Sequence, residues 1–183
     1  MAEQQTVRST SAEIRDLFGE WLATEWAAGA RLVIIEGLMG AGKSKLTERA
    51  FVLGTQPSTS IMLDDFLDKP IPEDTEYMDA INIERTRTNI MAALESAPLV
   101  IVEGPMAWLV VQRVFPEIAS DEVRRVYLKR MSSIRPDDWD DLEFVQEHER
   151  PTVYTRSIDR YHVTERPWLQ ADLILERVPE AGE

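Results

Sequence analysis

Eight consecutive residues, 37–44, have the types and spacing of a loop that binds phosphate groups. Their sequence GLMGAGKS satisfies every fixed position of the pattern G-x-x-x-x-G-K-[ST]. Glycines let backbone N–H groups approach phosphates because no Cβ intervenes, the lysine reaches the β- and γ-phosphates, and the hydroxyl ligates Mg²⁺. The candidate residues for binding ATP, with Lys43 also catalytic and Ser44 also a metal ligand, are Gly37, Leu38, Met39, Gly40, Ala41, Gly42, Lys43, Ser44 and Lys45.

Acidic residues at the ends of two further predicted strands supply other groups that phosphoryl transfer needs. Transfer to a hydroxyl requires a proton acceptor, a Mg²⁺ bridge between phosphates, and cations that offset the moving charge. We expect Asp64 to be the general base and Glu103 to hold Mg²⁺ or its water shell. The pair Asp64 and Asp65 could instead be turn or helix-cap carboxylates. Glu103 closes an all-apolar strand, where a carboxylate has few structural reasons to lie.

A basic run at 129–135 is the candidate source of cations. We predict a mobile lid that closes over ATP, with Arg130 and Arg135 as its phosphate contacts. The alternative is a solvated surface, which is what a charge run usually forms. The two histidines, His148 and His162, have no spacing partner for a metal site, so structural or surface roles are expected.

Apolar patterning predicts the elements that position these residues. A strand before the phosphate loop and a helix after it give the order that the motif requires. Strands alternate with helices, which indicates an α/β fold with an open, mostly parallel sheet and the ligand at the carboxyl ends of its strands. The five predicted strands are 31–36, 60–63, 99–103, 123–128 and 171–175.

The N-terminal part of the chain is predicted to be a helix. Apolar residues recur at helical spacing over 11–28, with Ser11 as a candidate N-cap. We therefore divide the chain into a helical extension packed on the core, 1–29, and a main domain, 30–183, with its lid near 129–144. Trp21 and Trp26 on this helix are typical of a core, although they could also form a homodimer interface.

Composition excludes several classes of function. The formal net charge is −13, from 33 acidic and 20 basic residues, which disfavours polynucleotide substrates. There is no cysteine, so disulfides, thiolate zinc sites and a thiol nucleophile are excluded. No apolar run approaches the about 20 residues that span a bilayer, and no signal peptide pattern is present. We expect a cytoplasmic protein with no membrane partner.

Taken together, these motifs resemble the uridine kinase-like P-loop kinases, a group that includes uridine-cytidine kinases, nicotinamide riboside kinases, bacterial pantothenate kinases and phosphoribulokinases. The resemblance spans about 31–175, from the loop through Leu63-Asp64-Asp65-Phe66 and the Glu103-Gly104 strand to the Pro-then-Ala-Asp tail. It implies a three-layer α/β/α P-loop NTPase fold with a small lid. It also implies that Asp64 is the catalytic base, that Glu103 belongs to the Mg²⁺ site, and that the substrate-binding residues are Asp64, Phe66 and Asp79.

The leading hypothesis is an ATP- and Mg²⁺-dependent phosphotransferase that phosphorylates a hydroxyl of a small molecule, of the nucleoside or nucleoside-like class. A kinase of another hydroxylated metabolite or of an antibiotic is the alternative within the enzymes. A nucleotide-dependent switch or binding module is the alternative outside them. The absence of an Asn-Lys-x-Asp guanine signature and of an Asp-x-x-Gly switch element argues against a GTPase.

Overall fold

The strands pair side by side in one parallel sheet. The computed structural model describes residues 4–53, 58–118, 121–131, 142 and 150–178, with side chains omitted at 49–53. In chain order the strands are β1 (Gln5–Thr10), β2 (Leu32–Glu36), β3 (Ser58–Met62), β4 (Leu99–Glu103), β5 (Val123–Arg130) and β6 (Leu173–Val178). Across the sheet their order is β1-β6-β5-β2-β4-β3, and every neighbouring pair is parallel.

Helices connect the strands and cover both faces of the sheet. They are α1 (Ser11–Ala27), α2 (Lys43–Leu53), α3 (Tyr77–Ala80), α4 (Ile83–Ser96), α5 (Ala107–Val114) and α6 (Val153–Glu165). Two 3₁₀ turns, Leu63–Phe66 and Pro167–Gln170, follow β3 and precede β6. None of the helices within the described ranges is long and apolar enough to span a bilayer.

Two neighbouring interior strands, β2 and β4, are buried along their whole length. Successive side chains of a strand point to opposite faces, so each strand supplies both cores. Leu32 and Ile34 join a cluster with residues of α4, α5 and α6, whereas Val33 and Ile35 join a cluster with Ile14, Phe18 and Leu22 of α1. This two-sided burial explains why β2 and β4 are continuous apolar runs.

The predicted fold class is confirmed, but the sheet has six strands rather than five. The additional strand is β1, which pairs with β6 from Gln5 opposite Leu173 to Thr10 opposite Val178. Its sequence, QTVRST, is mostly polar, and its residues are exposed or half-buried. As an edge strand it is held by backbone hydrogen bonds on one side only. Such a strand gives no apolar alternation for sequence analysis to find.

The start of α1 also differs from its prediction. Thr10, rather than Ser11, is the N-cap, and it forms a capping box with Glu13. The helix therefore begins directly where β1 ends. Within 1–29 the chain thus forms a strand of the sheet followed by a helix on its face.

Two strands continue beyond their predicted ends. β5 extends to Arg130 and β6 extends to Val178. Lys129 and Arg130 therefore belong to β5, and most of the predicted lid at 129–144, including Arg135, lies outside the described residues. The extension of both strands carries arginines to the carboxyl edge of the sheet, where the phosphate loop lies.

Candidate nucleotide-binding site

The phosphate loop joins the carboxyl end of β2 to the first turn of α2, and glycine is needed at two of its positions. A Cβ at Gly37 would overlap the backbone carbonyl oxygen of Leu128 on the neighbouring strand β5. Gly42 has φ +103°, a left-handed conformation that side chains disfavour. The backbone of 37–42 can therefore follow this path close to β5 only with these glycines in place.

The ammonium group of Lys43 lies over the loop. Its Nζ donates hydrogen bonds to the carbonyl oxygens of Gly37, at 2.8 Å, and Leu38, at 2.9 Å. Lys43 is only half-buried, so its charge remains accessible to a ligand. The lysine is thereby held at the place where the motif would put phosphate groups.

Two hydroxyl groups of α2 meet the carboxylate of Glu103 at the end of β4. The Thr47 hydroxyl donates a hydrogen bond to Glu103 Oε2 at 3.3 Å, and the Ser44 hydroxyl lies beside the same carboxylate. Burial raises the pKa of Glu103, while the Ser44 hydrogen bond and the Lys43 charge oppose that rise. Segments almost sixty residues apart in the chain are thus brought into contact beside the loop.

The oxygen atoms of Ser44 and Glu103 suit a hard divalent cation. Mg²⁺ prefers oxygen ligands and is usually held by one or two carboxylates together with water and substrate phosphates. Within the described ranges no three carboxylate or histidine side chains converge on one point. A Mg²⁺ ion here would therefore complete its coordination with water and with phosphate oxygens, as it does in nucleotide sites.

Asp64 lines one cavity together with Lys43, Ser44 and Glu103. It lies in the 3₁₀ turn after β3 and is exposed, and its negative charge contributes to the raised pKa of Glu103. Neither Asp64 nor Asp65 caps this turn, since its N-cap is Met62 and no side chain caps it. The cavity has a volume of about 570 Å³, and its lining includes Lys43, Ser44, Lys45, Asp64, Asp65, Glu103, Arg130 and Arg177.

The other predicted site residues are placed differently. Met39, Gly40 and Gly42 line the cavity. Phe66 and Asp79 are not among the described residues that line it. The Phe66 ring lies under the guanidinium of Arg85, 5.1 Å from its Cζ, and Asp79 is exposed on α3. The structure therefore unites the loop, the base candidate and the metal-site candidate but does not bring these two substrate candidates to the cavity.

Neither a family model nor a curated protein matches the sequence. A solved structure does match, that of a possible uridine kinase from Bacillus stearothermophilus. The two superpose with a TM-score of 0.59 and 15% sequence identity, over 90% of this chain and 98% of that chain. The chain has a P-loop kinase-like fold. At this identity the likeness concerns the fold alone.

One basic residue at the cavity of this P-loop kinase-like fold was missed by sequence analysis. Arg177, on β6, lines the cavity next to Gly42. The strand was predicted to end at Leu175, two residues too early to place an arginine at the sheet edge. Extending the predicted strand through Glu176-Arg177-Val178 would have revealed it.

A second group of buried polar residues supports the strand end before the loop. The Glu36 carboxylate accepts hydrogen bonds from the Tyr161 hydroxyl and the Trp108 backbone N–H, both at 2.9 Å. A guanidinium nitrogen of Arg125 lies 3.5 Å from its other oxygen. Burial raises the pKa of Glu36, and Arg125 opposes the rise. This carboxylate joins α5 and α6 to the strand that leads into the phosphate loop.

His162 lies in the core close to this group. Its Nδ1 is hydrogen bonded to the Tyr127 hydroxyl at 2.8 Å, and the residue is fully buried. Burial, and to a smaller extent the nearby positive charge of Lys43, lowers the pKa of His162 to about 3. His162 is therefore neutral at physiological pH and packs as a core residue of the P-loop kinase-like fold.

Proposed function

We propose that this protein is a Mg²⁺- and ATP-dependent kinase that phosphorylates a hydroxyl of a small molecule. The observation that carries the proposal is the convergence of Lys43, Ser44, Glu103 and Asp64 on one cavity. These residues come from three separate segments, at the ends of β2, β3 and β4. Their chemical types match the needs of phosphoryl transfer, namely a cation, a metal site and a proton acceptor.

Lys43 would bind the β- and γ-phosphates of ATP. Its ammonium group already donates hydrogen bonds to two carbonyl oxygens of the loop. When ATP binds, negatively charged phosphate oxygens would take the place of these neutral acceptors. Hydrogen bonds between charged partners are about twice as strong as neutral ones. The loop is thus arranged to favour a polyphosphate over water.

Ser44 and Glu103 would hold Mg²⁺. The ion would supply positive charge that offsets the negative charge developing during transfer. The raised pKa of Glu103 reflects a buried carboxyl whose ionised form needs a positive partner. A divalent cation would provide that partner beside Lys43.

Asp64 would accept the proton of the attacking hydroxyl. A general base must lie within reach of the substrate and be ionised at the working pH. Asp64 is exposed to the cavity on the β3 and β4 side of the loop. An acceptor hydroxyl bound in the cavity between Asp64 and the loop would be able to give its proton to this carboxylate.

The acceptor class proposed is a nucleoside or nucleoside-like compound. Its support is the resemblance of the ordered motifs to uridine kinase-like enzymes and the fold shared with a possible uridine kinase. A cavity of about 570 Å³ is within the range of small-molecule sites. Other hydroxylated metabolites and antibiotics are the competing acceptors, and a panel of compounds separates them.

The test is ADP release from Mg-ATP with and without ribonucleosides, vitamin-like alcohols, sugars and hydroxylated antibiotics. Asp64→Asn should abolish acceptor-dependent release, because the amide cannot accept a proton, while leaving ATP binding largely intact. Asp65→Asn is the matched control, since it alters the next carboxylate of the same turn. Unchanged transfer in Asp64→Asn would refute the assigned base. Tight nucleotide binding with no turnover of any acceptor would favour a nucleotide-dependent binding module.

A further inference from the structure

The carboxyl edge of the sheet separates two sets of charged residues around the phosphate loop. In the strand order β6-β5-β2-β4-β3, the loop follows the middle strand. Arg130 and Arg177 lie at the ends of β5 and β6 on one side of it. Glu103 and Asp64 lie at the ends of β4 and β3 on the other side. The acceptor and the metal are therefore expected on the carboxylate side, and the two arginines face the nucleotide.

The two arginines are neighbours across the sheet. Arg130 and Arg177 are Cα partners in the register of β5 and β6, so their side chains leave the same face of adjacent parallel strands. Both line the same cavity as Lys43 and Lys45. Four cations around one cavity, in a chain whose net charge is −13, are a favourable environment for a polyphosphate.

The Arg177 guanidinium also packs against the phosphate loop. The position of a Cβ on Gly42 would lie 3.5 Å from Arg177 Nε and 3.8 Å from its Cζ. Gly42 directly precedes Lys43. The Arg177 guanidinium therefore lies beside the loop residue next to the motif lysine. A phosphate seated on this part of the loop would be within reach of the guanidinium.

The N-terminal unit, consisting of β1 and α1, holds this guanidinium. Arg177 Nη1 donates a hydrogen bond of 3.0 Å to the hydroxyl of Ser11, the first residue of α1. β1 pairs with β6 along its whole length, including the residues on either side of Arg177. A guanidinium carries five N–H donors in a fixed plane, so a bond to Ser11 is compatible with bonds to a phosphate.

We propose that Arg177 is a phosphate-binding residue for the nucleotide and that Ser11 of the N-terminal unit is its positioning residue. This inference rests on the proposed function, since it assumes that ATP binds at the loop. It gives the N-terminal unit a role in nucleotide binding through the hydrogen bond between Ser11 and Arg177.

The first test is isothermal titration calorimetry of the full chain with Mg-ATP. Arg177→Gln should raise the dissociation constant about tenfold or more, because a hydrogen bond between charged groups is lost. Arg177→Lys should have a smaller effect, since it keeps the charge but loses the planar donors. Arg124→Gln is the control, because Arg124 on β5 pairs with Glu25 of α1 at 2.5 Å instead of lining the cavity.

The second test separates positioning from folding. Ser11→Ala should raise the dissociation constant about threefold, and the double variant Ser11→Ala/Arg177→Gln should bind no more weakly than Arg177→Gln alone. Independent, additive effects would show that Ser11 does not act through Arg177 and would overturn its positioning role. Urea unfolding without nucleotide verifies that each variant is folded.

The outcomes distinguish the inference from the function it rests on. Wild-type affinity in folded Arg177→Gln and Arg177→Lys, with binding lost in Lys43→Met, would overturn the inference and leave the proposed function intact. A wild-type protein that binds no Mg-ATP would overturn both. Weakened binding in Arg177→Gln, with Arg124→Gln unaffected, would support the inference.

Discussion

The hydroxyl of Tyr161 donates a 2.9 Å hydrogen bond to the buried carboxylate of Glu36, a residue 125 positions earlier in the chain. Glu36 is the last residue of β2, directly before the phosphate loop, and it is 2% exposed. The same carboxylate oxygen accepts the backbone N–H of Trp108 at the start of α5. One side chain therefore fixes two helices to the strand from which the loop departs.

Tyr161→Phe is expected to destabilise the protein by about 1–3 kcal/mol, because it removes one donor from a buried, charged acceptor. Urea unfolding of both proteins measures the difference.

Arg160→Gln, at the adjacent position of α6, is the control. Its ion pair with Glu76 is largely exposed, with side chains 64% and 45% accessible, so its loss should change stability by less than about 1 kcal/mol. Equal losses of stability in the two variants would contradict the conclusion that the hydrogen bond from Tyr161 to Glu36 stabilises the fold more than the exposed ion pair does.

The phosphate loop and the residues that contact Glu36 show what sequence patterns can and cannot reveal. The loop was identified because its chemistry demands fixed residue types at fixed spacing, and β4 was predicted with its observed bounds because it is a continuous apolar run. The partners of Glu36 lie on α5, α6 and β5, and no local pattern links residues so far apart. Sequence analysis therefore located the loop but not the contacts that hold it.

The missed strand and the missed arginine have a common physical cause. β1 is an edge strand stabilised by backbone pairing with β6, and β6 carries the charged residues Glu176 and Arg177 close to its carboxyl end. Apolar periodicity disappears in both places although the ladder of hydrogen bonds continues. Arg177 lies beyond the predicted end of β6, and its hydrogen bond with Ser11 at the start of α1 joins residues 166 positions apart, so no local sequence pattern could indicate that contact.

His162 is expected to make stability depend on pH. Its pKa is about 3 in the folded protein, against an ordinary value of 6.5, so the folded state binds fewer protons than the unfolded state between those values. The stabilising contribution is therefore present above about pH 6.5 and is lost as the pH falls toward 3.

Urea midpoints measured between about pH 7.5 and pH 5 test this expectation. His162→Gln should lose less stability over this range than the wild type, because glutamine does not titrate and can still bond to the Tyr127 hydroxyl. If His162→Gln showed the same pH dependence of stability as the wild type, His162 would not be the group responsible for it.

Glu103→Gln is expected to raise the Mg²⁺ concentration needed for half-maximal ADP formation by about tenfold, because it replaces an anionic oxygen ligand with a neutral one. A magnesium titration at saturating ATP measures the effect. Thr47→Val is the matched control, since it removes a hydroxyl that contacts the same carboxylate without removing a proposed ligand. An unchanged magnesium requirement in Glu103→Gln would place the ion elsewhere.

Gly37→Ala is expected to destabilise the protein more than Gly29→Ala does. Both glycines have positive φ, at 153° and 101°, but a Cβ on Gly29 would have no neighbour within 4 Å. Gly29→Ala should therefore cost about 1–2 kcal/mol from backbone strain alone.

At Gly37 the methyl group would also overlap the Leu128 carbonyl, which belongs to β5 and cannot rotate away like a side chain. The overlap should add about 1–3 kcal/mol, and urea unfolding of the two variants measures it. Equal losses would mean that β5 can move away from the loop, which its pairing with both β2 and β6 opposes.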